Sequence, residues 1–280
     1  MPDRRTREPD REGQDEKAVK LDNTSMTSRR ELFPLFLAGA LPFKAATSQP
    51  RPIILEASDG VKVYAWHYAA LDKTKPAILL FHQAGSSHAE YAPIAPRLAA
   101  LGYHSLALDQ RSGGRMWGQP NRTASELGKQ VDYPEALPDL EAALEWAPQR
   151  GLPQRSIVWG SSYSAALVFV LAALHPSSVA AVMAFSPAEY LGGDHSVKDA
   201  AAKLQVPVFL TSAQDSKEIA SARAIAAAVQ GGNATQFVPT KGGVHGSSTL
   251  RVDRNPKGAE ENWNAVEKFL AGLPGGPLVQ

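Results

Sequence analysis

Short apolar runs alternate with longer amphipathic segments from residue 51 onward. Two runs flank the turn signal Ser-Asp-Gly at 58–60, which predicts a β-hairpin over 51–57 and 61–68. Six later runs are also predicted strands, at 76–82, 103–109, 155–160, 179–186, 206–213 and 234–239. The first of them is continuously apolar, as in a strand buried on both faces. Amphipathic stretches predict helices at 88–102, 133–149, 163–175, 217–230 and 259–271. The alternation predicts an α/β fold with an eight-stranded, mostly parallel sheet and helices on both faces.

Composition narrows the possible functions. The chain has 280 residues and a net charge of +1, so no nucleic-acid partner is expected. It has no cysteine, which excludes disulfides, thiolate metal sites and a cysteine nucleophile. No metal-binding or phosphate-loop motif is present, so no cofactor or metal is expected. Composition does not shift after residue 50, and we expect one domain over 49–280.

The first 25 residues are dense in mixed charge and have little to bury. Such a segment is predicted to be disordered. Because export signals begin with short charged regions, residues 1–25 are alternatively a mis-called upstream extension, with the true start at Met26.

Residues 26–48 are laid out like a bacterial export signal. Arg29 and Arg30 precede an apolar stretch and then small residues, and the segment resembles a twin-arginine signal. The alternative, a helix packed on the domain, is disfavoured by Pro34 and Pro42. We therefore expect the twin-arginine export machinery as a partner, a periplasmic or secreted location, and no stable membrane anchor after processing.

Two turns in the chain fit the pattern Gly-x-Ser-x-small after a predicted strand. One is Gly-Ser-Ser-Tyr-Ser at 160–164, with Ser162 at its centre, and the other is at 85–89, with Ser87 at its centre. The pattern is typical of a sharp strand-to-helix turn that exposes a nucleophilic serine. Both turns could equally contain serines that only cap helices. Ser164 replaces the glycine usual at the last position.

Residues downstream favour Ser162. Asp215 follows the strand at 206–213, and His245 lies in a Gly-rich loop after the strand at 234–239. Ligands in such sheets bind at the carboxyl ends of the strands, where all three side chains are expected. The three residues occur in the chain order Ser, Asp, His, which the α/β-hydrolase fold family uses. Over about residues 51–280 the sequence resembles that family, in its compact serine-esterase or dienelactone-hydrolase-like branch. The interval between the strands at 179–186 and 206–213 is too short for a large lid domain.

The resemblance implies a role for each residue of the triad. Ser162 would be the nucleophile, His245 the general base and later the acid, and Asp215 the group that orients the imidazole. Two open alternatives are that Asp215 only caps the helix at 217–230, with Asp194 or Glu189 as the next candidate acids, and that His245 is an ordinary loop residue.

Further site residues follow from the same resemblance and from strand order. The backbone N–H groups of Tyr163 and Ala84 would form the oxyanion hole, and Gln83 stands where the family often has glycine, so its side chain is expected near the site. His82 is expected to order this loop. Three loop residues are candidates for lining an apolar acyl pocket: Met116, Trp117 and Tyr190.

The predicted function is hydrolysis of a small-molecule carboxylic ester by acyl transfer to Ser162 and then to water. A serine at the turn argues against true dienelactone-hydrolase chemistry, which uses cysteine in that family. Two alternatives stay open: a serine peptidase or amidase of the same fold, and a non-catalytic binding protein that keeps the fold.

Overall fold

The computed structural model describes residues 49–192 and 196–273. The predicted extension at 1–25 and the predicted export signal at 26–48 lie outside the described residues, as does Asp194. The described residues belong to one compact unit.

Eight strands form one sheet in the order β1-β2-β4-β3-β5-β6-β7-β8. Strand β2 is antiparallel to β1 and β4, and all the other neighbours are parallel. The predicted eight-stranded, mostly parallel fold is therefore confirmed. The strands are β1 Arg51–Glu56, β2 Lys62–Tyr68, β3 Ile78–Phe81, β4 Ser105–Asp109, β5 Ser156–Ser161, β6 Val179–Phe185, β7 Val208–Thr211 and β8 Ala234–Phe237.

Helices cover both faces of the sheet because alternate residues of the central strands point to opposite sides. In β3, Leu79 and Phe81 pack with helices α3 to α6, whereas Ile78 and Leu80 pack with α1 and α7. Continuous apolar runs are thus explained by burial on both faces. The helices are α1 Ala95–Ala100, α2 Arg122–Leu127, α3 Leu137–Trp146, α4 Tyr163–Leu174, α5 Val197–Ala201, α6 Ser216–Ala228 and α7 Ala259–Ala271.

Three local differences from the sequence prediction have simple causes. The expected helix at 88–102 is a 3₁₀ turn at His88–Tyr91 followed by α1, because Pro93 separates the two and Pro96 lies in the first turn of α1. Helix α2 lies within the segment predicted as a loop, where the Asn121 side chain accepts the Ala124 N–H at 2.8 Å. Helix α5 was also not predicted, and the Ser196 side chain caps its first turn. None of the helices in the described ranges is long and apolar enough to cross a membrane.

Candidate active site

Ser162 lies on a strained turn between β5 and α4. Its backbone angles are φ 58° and ψ −121°, a conformation that non-glycine residues seldom adopt. The turn is so tight that a Cβ on Gly160 would lie 2.2 Å from the carbonyl oxygen of Ser164. Glycine is therefore required at 160. The strain places the Ser162 side chain at the carboxyl end of the sheet, in front of the first turn of α4.

Ser164 contributes a bond that the usual glycine could not make. Its hydroxyl donates to the carbonyl oxygen of His82 at 2.6 Å and accepts a hydrogen bond from the Gln110 side chain at 2.7 Å. Both partners follow neighbouring strands, β3 and β4. The serine thus ties the nucleophile turn to the loops beside it, and the residue is compatible with the turn.

His245 is hydrogen-bonded to Ser162. The Ser162 Oγ and His245 Nε2 are 2.8 Å apart, so the hydroxyl can donate to the ring. The histidine loop packs tightly here: Gly246 has φ 67°, and a Cβ on it would lie 2.4 Å from the Ser161 Oγ. The Gly246 N–H also donates to the Ser186 hydroxyl at 2.8 Å, which fixes the loop after β6 against the histidine.

The carboxylate beside His245 belongs to Glu218, and the expectation that Asp215 occupies this position is corrected. His245 Nδ1 lies 2.8 Å from the Glu218 Oε1, and the other carboxylate oxygen accepts the Ala213 N–H at 3.0 Å. Asp215 instead caps α6: its Oδ1 accepts the N–H groups of Lys217 at 3.0 Å and Glu218 at 3.1 Å. Both hydrogen bonds of the Asp215 side chain are made to the first turn of α6, and among the described residues the carboxylate hydrogen-bonded to His245 is that of Glu218.

The sequence contained a signal for Glu218. Asp215 and Glu218 have the Asp-x-x-Glu spacing of a capping box, in which the glutamate in the first helical turn reaches back toward the preceding chain. Here Glu218 reaches back to Ala213 and to the histidine. The other fallback acid, Glu189, accepts the N–H groups of Val197 and Lys198 at the start of α5.

The electrostatics of this pair favour a charged imidazole. Burial would raise the pKa of Glu218, but hydrogen bonds from His245, Ser186 and Ala213 outweigh it and lower the pKa to about 2. The hydrogen bond to Glu218 in turn raises the pKa of His245, against the opposing effect of burial. Glu218 therefore remains ionised and stabilises the imidazolium that would form when His245 takes a proton.

Two backbone N–H groups are placed to form an oxyanion hole. The Tyr163 N–H is the first donor of α4, and the opening donors of a helix have no partner within it. The Gln83 N–H donates to Glu90 at 2.8 Å, which leaves the adjacent Ala84 N–H as the donor available from this loop. The Gln83 side chain lies at the histidine loop: its amide donates to the Ser248 hydroxyl at 3.4 Å, and a Cβ on Gly246 would lie 3.6 Å from its Oε1.

His82 orders the loop that carries Ala84. Its Nδ1 donates to the carbonyl oxygen of Gln83 at 2.8 Å, and its Nε2 accepts from the Gln110 N–H at 3.1 Å and the Asn121 amide at 3.0 Å. Burial lowers the pKa of His82 to about 4, so the ring is neutral and suited to accepting these bonds.

A cleft of about 760 Å³ opens beside the oxyanion loop. Tyr133 lines it and stacks on the Tyr163 ring, with centroids 4.3 Å apart, which joins the cleft to the nucleophile turn. Polar and apolar groups contribute comparably to its walls. The walls comprise Ala84, Gly85, 111–115, Pro120, Asn121, Ala124, Ser125 and 128–133.

The three residues expected to line an apolar pocket have different positions. Met116 is exposed, and the ring of Trp117 is contacted by the guanidinium groups of Arg251 and Arg254, 4.2 and 4.8 Å from its centroid. Neither residue lines the cleft. Tyr190 lies close enough to Ser162 for that hydroxyl to lower its phenol pKa, while burial, the larger effect, raises it. Of the three, Tyr190 is the one at the reacting centre.

Within residues 49–192 and 196–273, no group of three histidine or carboxylate side chains lies close enough together to hold a metal ion.

Comparison with known proteins identifies the family. The model for the α/β-hydrolase fold matches residues 76–271, most of the chain. The chain belongs to the α/β-hydrolase fold family. The resemblance inferred from the order of serine, acid and histidine is therefore confirmed.

Solved structures of this family share the fold at low sequence identity. An esterase from Pyrococcus furiosus has a TM-score of 0.61 at 18% identity, covering 80% of this chain and 90% of its own. A dienelactone hydrolase from Anabaena variabilis has a TM-score of 0.60 at 16% identity, covering 80% and 98%. A carboxyl esterase from Bacillus coagulans has a TM-score of 0.63 at 13% identity, covering 81% and 99%. A search of curated protein sequences gives no match.

Proposed function

We propose that this α/β-hydrolase-fold protein is a serine hydrolase that cleaves carboxylic esters with Ser162, His245 and Glu218. The observation that carries the proposal is the chain of two 2.8 Å hydrogen bonds from the Ser162 Oγ through His245 to Glu218, on a serine held at φ 58°. Geometry and roles, more than sequence position, identify such a triad.

The first half-reaction acylates the serine. The Ser162 Oγ attacks the carbonyl carbon of the ester, and its proton passes to His245 Nε2, while Glu218 accepts the Nδ1–H and stabilises the imidazolium. The oxyanion that forms is stabilised by the Tyr163 and Ala84 N–H groups. The bond to the alcohol oxygen then breaks, and His245 protonates the departing alcohol.

The second half-reaction returns the enzyme to its starting state. His245 takes a proton from a water molecule, and the resulting hydroxide adds to the acyl carbon. Collapse of this second intermediate breaks the bond to the Ser162 Oγ, which regains a proton from His245. The product acid leaves, so one ester and one water give one acid and one alcohol.

The cleft wall combines apolar groups with the side chains of Arg115, Lys129 and Gln130, so a short activated ester is the least demanding probe of the chemistry. We therefore choose p-nitrophenyl acetate as the first substrate. Turnover by the full chain, together with a fluorophosphonate adduct mapped to Ser162 and lost in His245→Ala, would support the proposal. An adduct elsewhere, or none on folded protein, would refute the assignment of the nucleophile.

The same assay separates the rival functions. Hydrolysis of aminoacyl p-nitroanilides without ester turnover would favour a peptidase or amidase of this fold. The fold is shared with an acylaminoacyl peptidase from Pyrococcus horikoshii, with a TM-score of 0.62 at 14% identity, covering 81% of this chain but 42% of that protein. Absence of both activities and of labelling would favour a non-catalytic binding protein.

We also propose that residues 26–48 direct export by the twin-arginine route. The basis is the Arg29-Arg30 pair before an apolar stretch. A fusion that begins at Met26 should reach the periplasm, and replacing both arginines by lysine should retain it in the cytoplasm. Unchanged export after that double substitution would refute the proposal.

A further inference from the structure

Glu90 is a buried carboxyl group that the proposed reaction does not use. It lies in the 3₁₀ turn His88–Tyr91, directly after the oxyanion loop, and is 0% exposed. One carboxylate oxygen accepts the Gln83 N–H at 2.8 Å, and the other accepts the Ser161 hydroxyl at 2.6 Å. Burying a carboxylate is costly, so a group kept here in the fold calls for an explanation.

The second partner connects Glu90 to the rest of the site. Ser161 immediately precedes the proposed nucleophile, and its Oγ also accepts the Ser247 N–H at 2.9 Å. Ser247 is two residues beyond His245. A Cβ on the intervening Gly246 would lie 3.7 Å from Glu90 as well as 2.4 Å from Ser161, so the histidine loop closes directly onto this pair. One carboxylate therefore connects the oxyanion loop, the nucleophile strand and, through Ser161, the histidine loop.

Only the ionised form of Glu90 suits these partners. Gln83 N–H and Ser161 O–H are both donors, and each needs an acceptor oxygen. A protonated carboxyl would place its own O–H against one of them. The Ser161 oxygen accepts from Ser247 with one lone pair, and it could accept the carboxyl proton with the other only if its own hydroxyl hydrogen turned away from Glu90. Protonation would therefore remove or reverse one of the two bonds.

The groups around Glu90 act on its charge in opposite directions. Burial raises the pKa of Glu90 to about 6, whereas the Ser161 hydroxyl, the Gln83 N–H and the charges of Arg251 and His245 lower it. The Arg251 guanidinium donates to the carbonyl oxygens of Ala89 and Glu90, 3.1 Å from each, and makes no ion pair with the carboxylate. On the remaining side, the Tyr91 hydroxyl donates to the carbonyl oxygen of Phe81 and leaves the carboxylate to its two donors.

We propose that Glu90 is a positioning residue for the hydrolysis proposed above, and that its ionised carboxylate sets both the oxyanion hole and the distance between Ser162 and His245. Taking up the Gln83 N–H leaves the Ala84 N–H free to face the oxyanion. Holding Ser161 against Ser247 fixes the strand that ends at Ser162 relative to the histidine loop. The inference rests on the proposed function.

The first test is the pH dependence of kcat/KM for p-nitrophenyl acetate in the wild-type full chain and in Glu90→Gln. Two groups should have to lose a proton in the wild type, His245 and Glu90, so log(kcat/KM) should fall with a slope near 2 over the first one to two pH units below about 6, until the residual activity of the protonated Glu90 form is reached. In Glu90→Gln the slope should be 1, because His245 alone remains. We expect kcat to fall about 10- to 10²-fold with KM changed by less than about 3-fold, as for a misplaced reacting group.

A second variant serves if Glu90→Gln fails to fold. Ser161→Ala keeps the carboxylate but removes a hydroxyl that lowers the pKa of Glu90, so the second proton-dependent step should move to higher pH. Glu141→Gln is the control: this glutamate accepts a side-chain hydrogen bond as Glu90 does, from His175 at 2.9 Å, but lies on α3 outside the site. The control should keep the wild-type slope and kcat.

The outcomes separate this inference from the proposed function. If turnover is lost in Ser162→Ala but Glu90→Gln and Ser161→Ala keep the wild-type kcat and pH profile, the triad stands and the role of Glu90 is refuted. If turnover survives in Ser162→Ala, the proposed function itself fails. A uniform loss of folded protein in Glu90→Gln, with a wild-type profile in Ser161→Ala, would assign Glu90 to stability alone and would also overturn the proposal.

Discussion

The turns at 85–89 and 160–164 share a sequence pattern but differ in structure. Each follows a parallel strand, and each has a serine, a histidine and an acid nearby. At the first turn, His88 Nδ1 bonds Asp109 at 2.9 Å, but its ring stacks on Trp66 with centroids 3.3 Å apart. The Ser87 hydroxyl donates to the carbonyl oxygen of Gln119 at 3.0 Å. The histidine and the serine there serve separate structural contacts.

Backbone conformation explains the difference. Ser87 has φ −149° and ψ −179°, and its hydroxyl accepts the Ala89 N–H as an ordinary cap. Ser162 has φ 58° and makes no such cap bond within α4. A serine in extended backbone uses its hydroxyl for the next turn of chain, whereas a serine at positive φ presents it outward to another loop. Strain, not the residue pattern, distinguishes a candidate nucleophile from a capped turn.

The largest expected effect is on kcat, and it comes from comparing two separate variants, Ser162→Ala and Ser87→Ala. Ser162→Ala should lower kcat for p-nitrophenyl acetate by about 10³- to 10⁶-fold, because no other group at the site can form the acyl intermediate. Ser87→Ala should keep kcat within about 3-fold, since its hydroxyl only holds a loop. Steady-state kinetics on both full-length variants checks this. Equal losses would mean that the two turns are not functionally distinct.

The second-largest expected effect comes from replacing Glu218, the carboxylate that bonds the histidine at the 160–164 turn. Glu218→Gln should reduce kcat/KM by about 10²- to 10⁴-fold, because the imidazolium loses its compensating charge. The bond to Glu218 raises the pKa of His245, and the base works only when neutral. Removing that charge should therefore move the acid-side decline in kcat/KM to lower pH. Asp215→Asn is the matched control and should keep both the rate and the pH profile; the reverse result would restore Asp215 as the acid.

Replacing glycine by alanine should cost more stability at the 160–164 turn than at the 85–89 turn. Gly160→Ala should cost about 3 kcal/mol in the free energy of unfolding, because its Cβ would lie 2.2 Å from main-chain atoms that cannot move aside. At Gly85, with φ 67° and open space around it, alanine should cost only about 1–2 kcal/mol of backbone strain. Urea denaturation of the two variants measures both. A smaller cost at 160 than at 85 would show that the nucleophile turn is less tightly packed than the structure indicates.

The smallest expected effect is the loss of stability when the Ser87 cap of the 3₁₀ turn is removed. Ser87→Ala should lower the free energy of unfolding by about 1 kcal/mol through loss of the bond to Ala89. Urea denaturation should resolve it, with Ser86→Ala as a neighbouring control. A loss of several kcal/mol would instead indicate that the bond to Gln119 anchors the long loop.

Sequence patterns predicted the strands and helices well because the periodicity of apolar residues reflects which side chains are buried. Strand β5 was expected at 155–160 and lies at Ser156–Ser161, and α7 has the expected bounds, Ala259–Ala271. Ser162 and His245 were placed by the rule that chemistry follows strand ends, and the structure brings them together. Glu218 was missed because it lies in the first turn of α6, beyond the strand-end position at which an acid was expected, and its capping-box spacing was not used.

Glu90 was missed for a different reason. Its importance lies in joining its own loop, through Gln83, to the distant strand β5, through Ser161. A single glutamate in a short amphipathic stretch has the same local pattern whether it faces water or the interior. Trp117 was likewise misplaced because two arginines from the C-terminal part of the chain cover it.

The contact between the Gly113-Gly114 segment and the oxyanion loop is made by main-chain atoms alone. The Gly114 N–H donates to the Ser86 carbonyl at 2.7 Å, and the Met116 N–H donates to the Gly85 carbonyl at 3.0 Å. Such bonds persist whichever side chains the cleft wall carries at 115, 129 and 130. Substrate preference can thus diversify by point substitution without disturbing the reacting centre. A change in the length of the loop would disturb it, so descendants with new substrates should vary these side chains and keep the spacing.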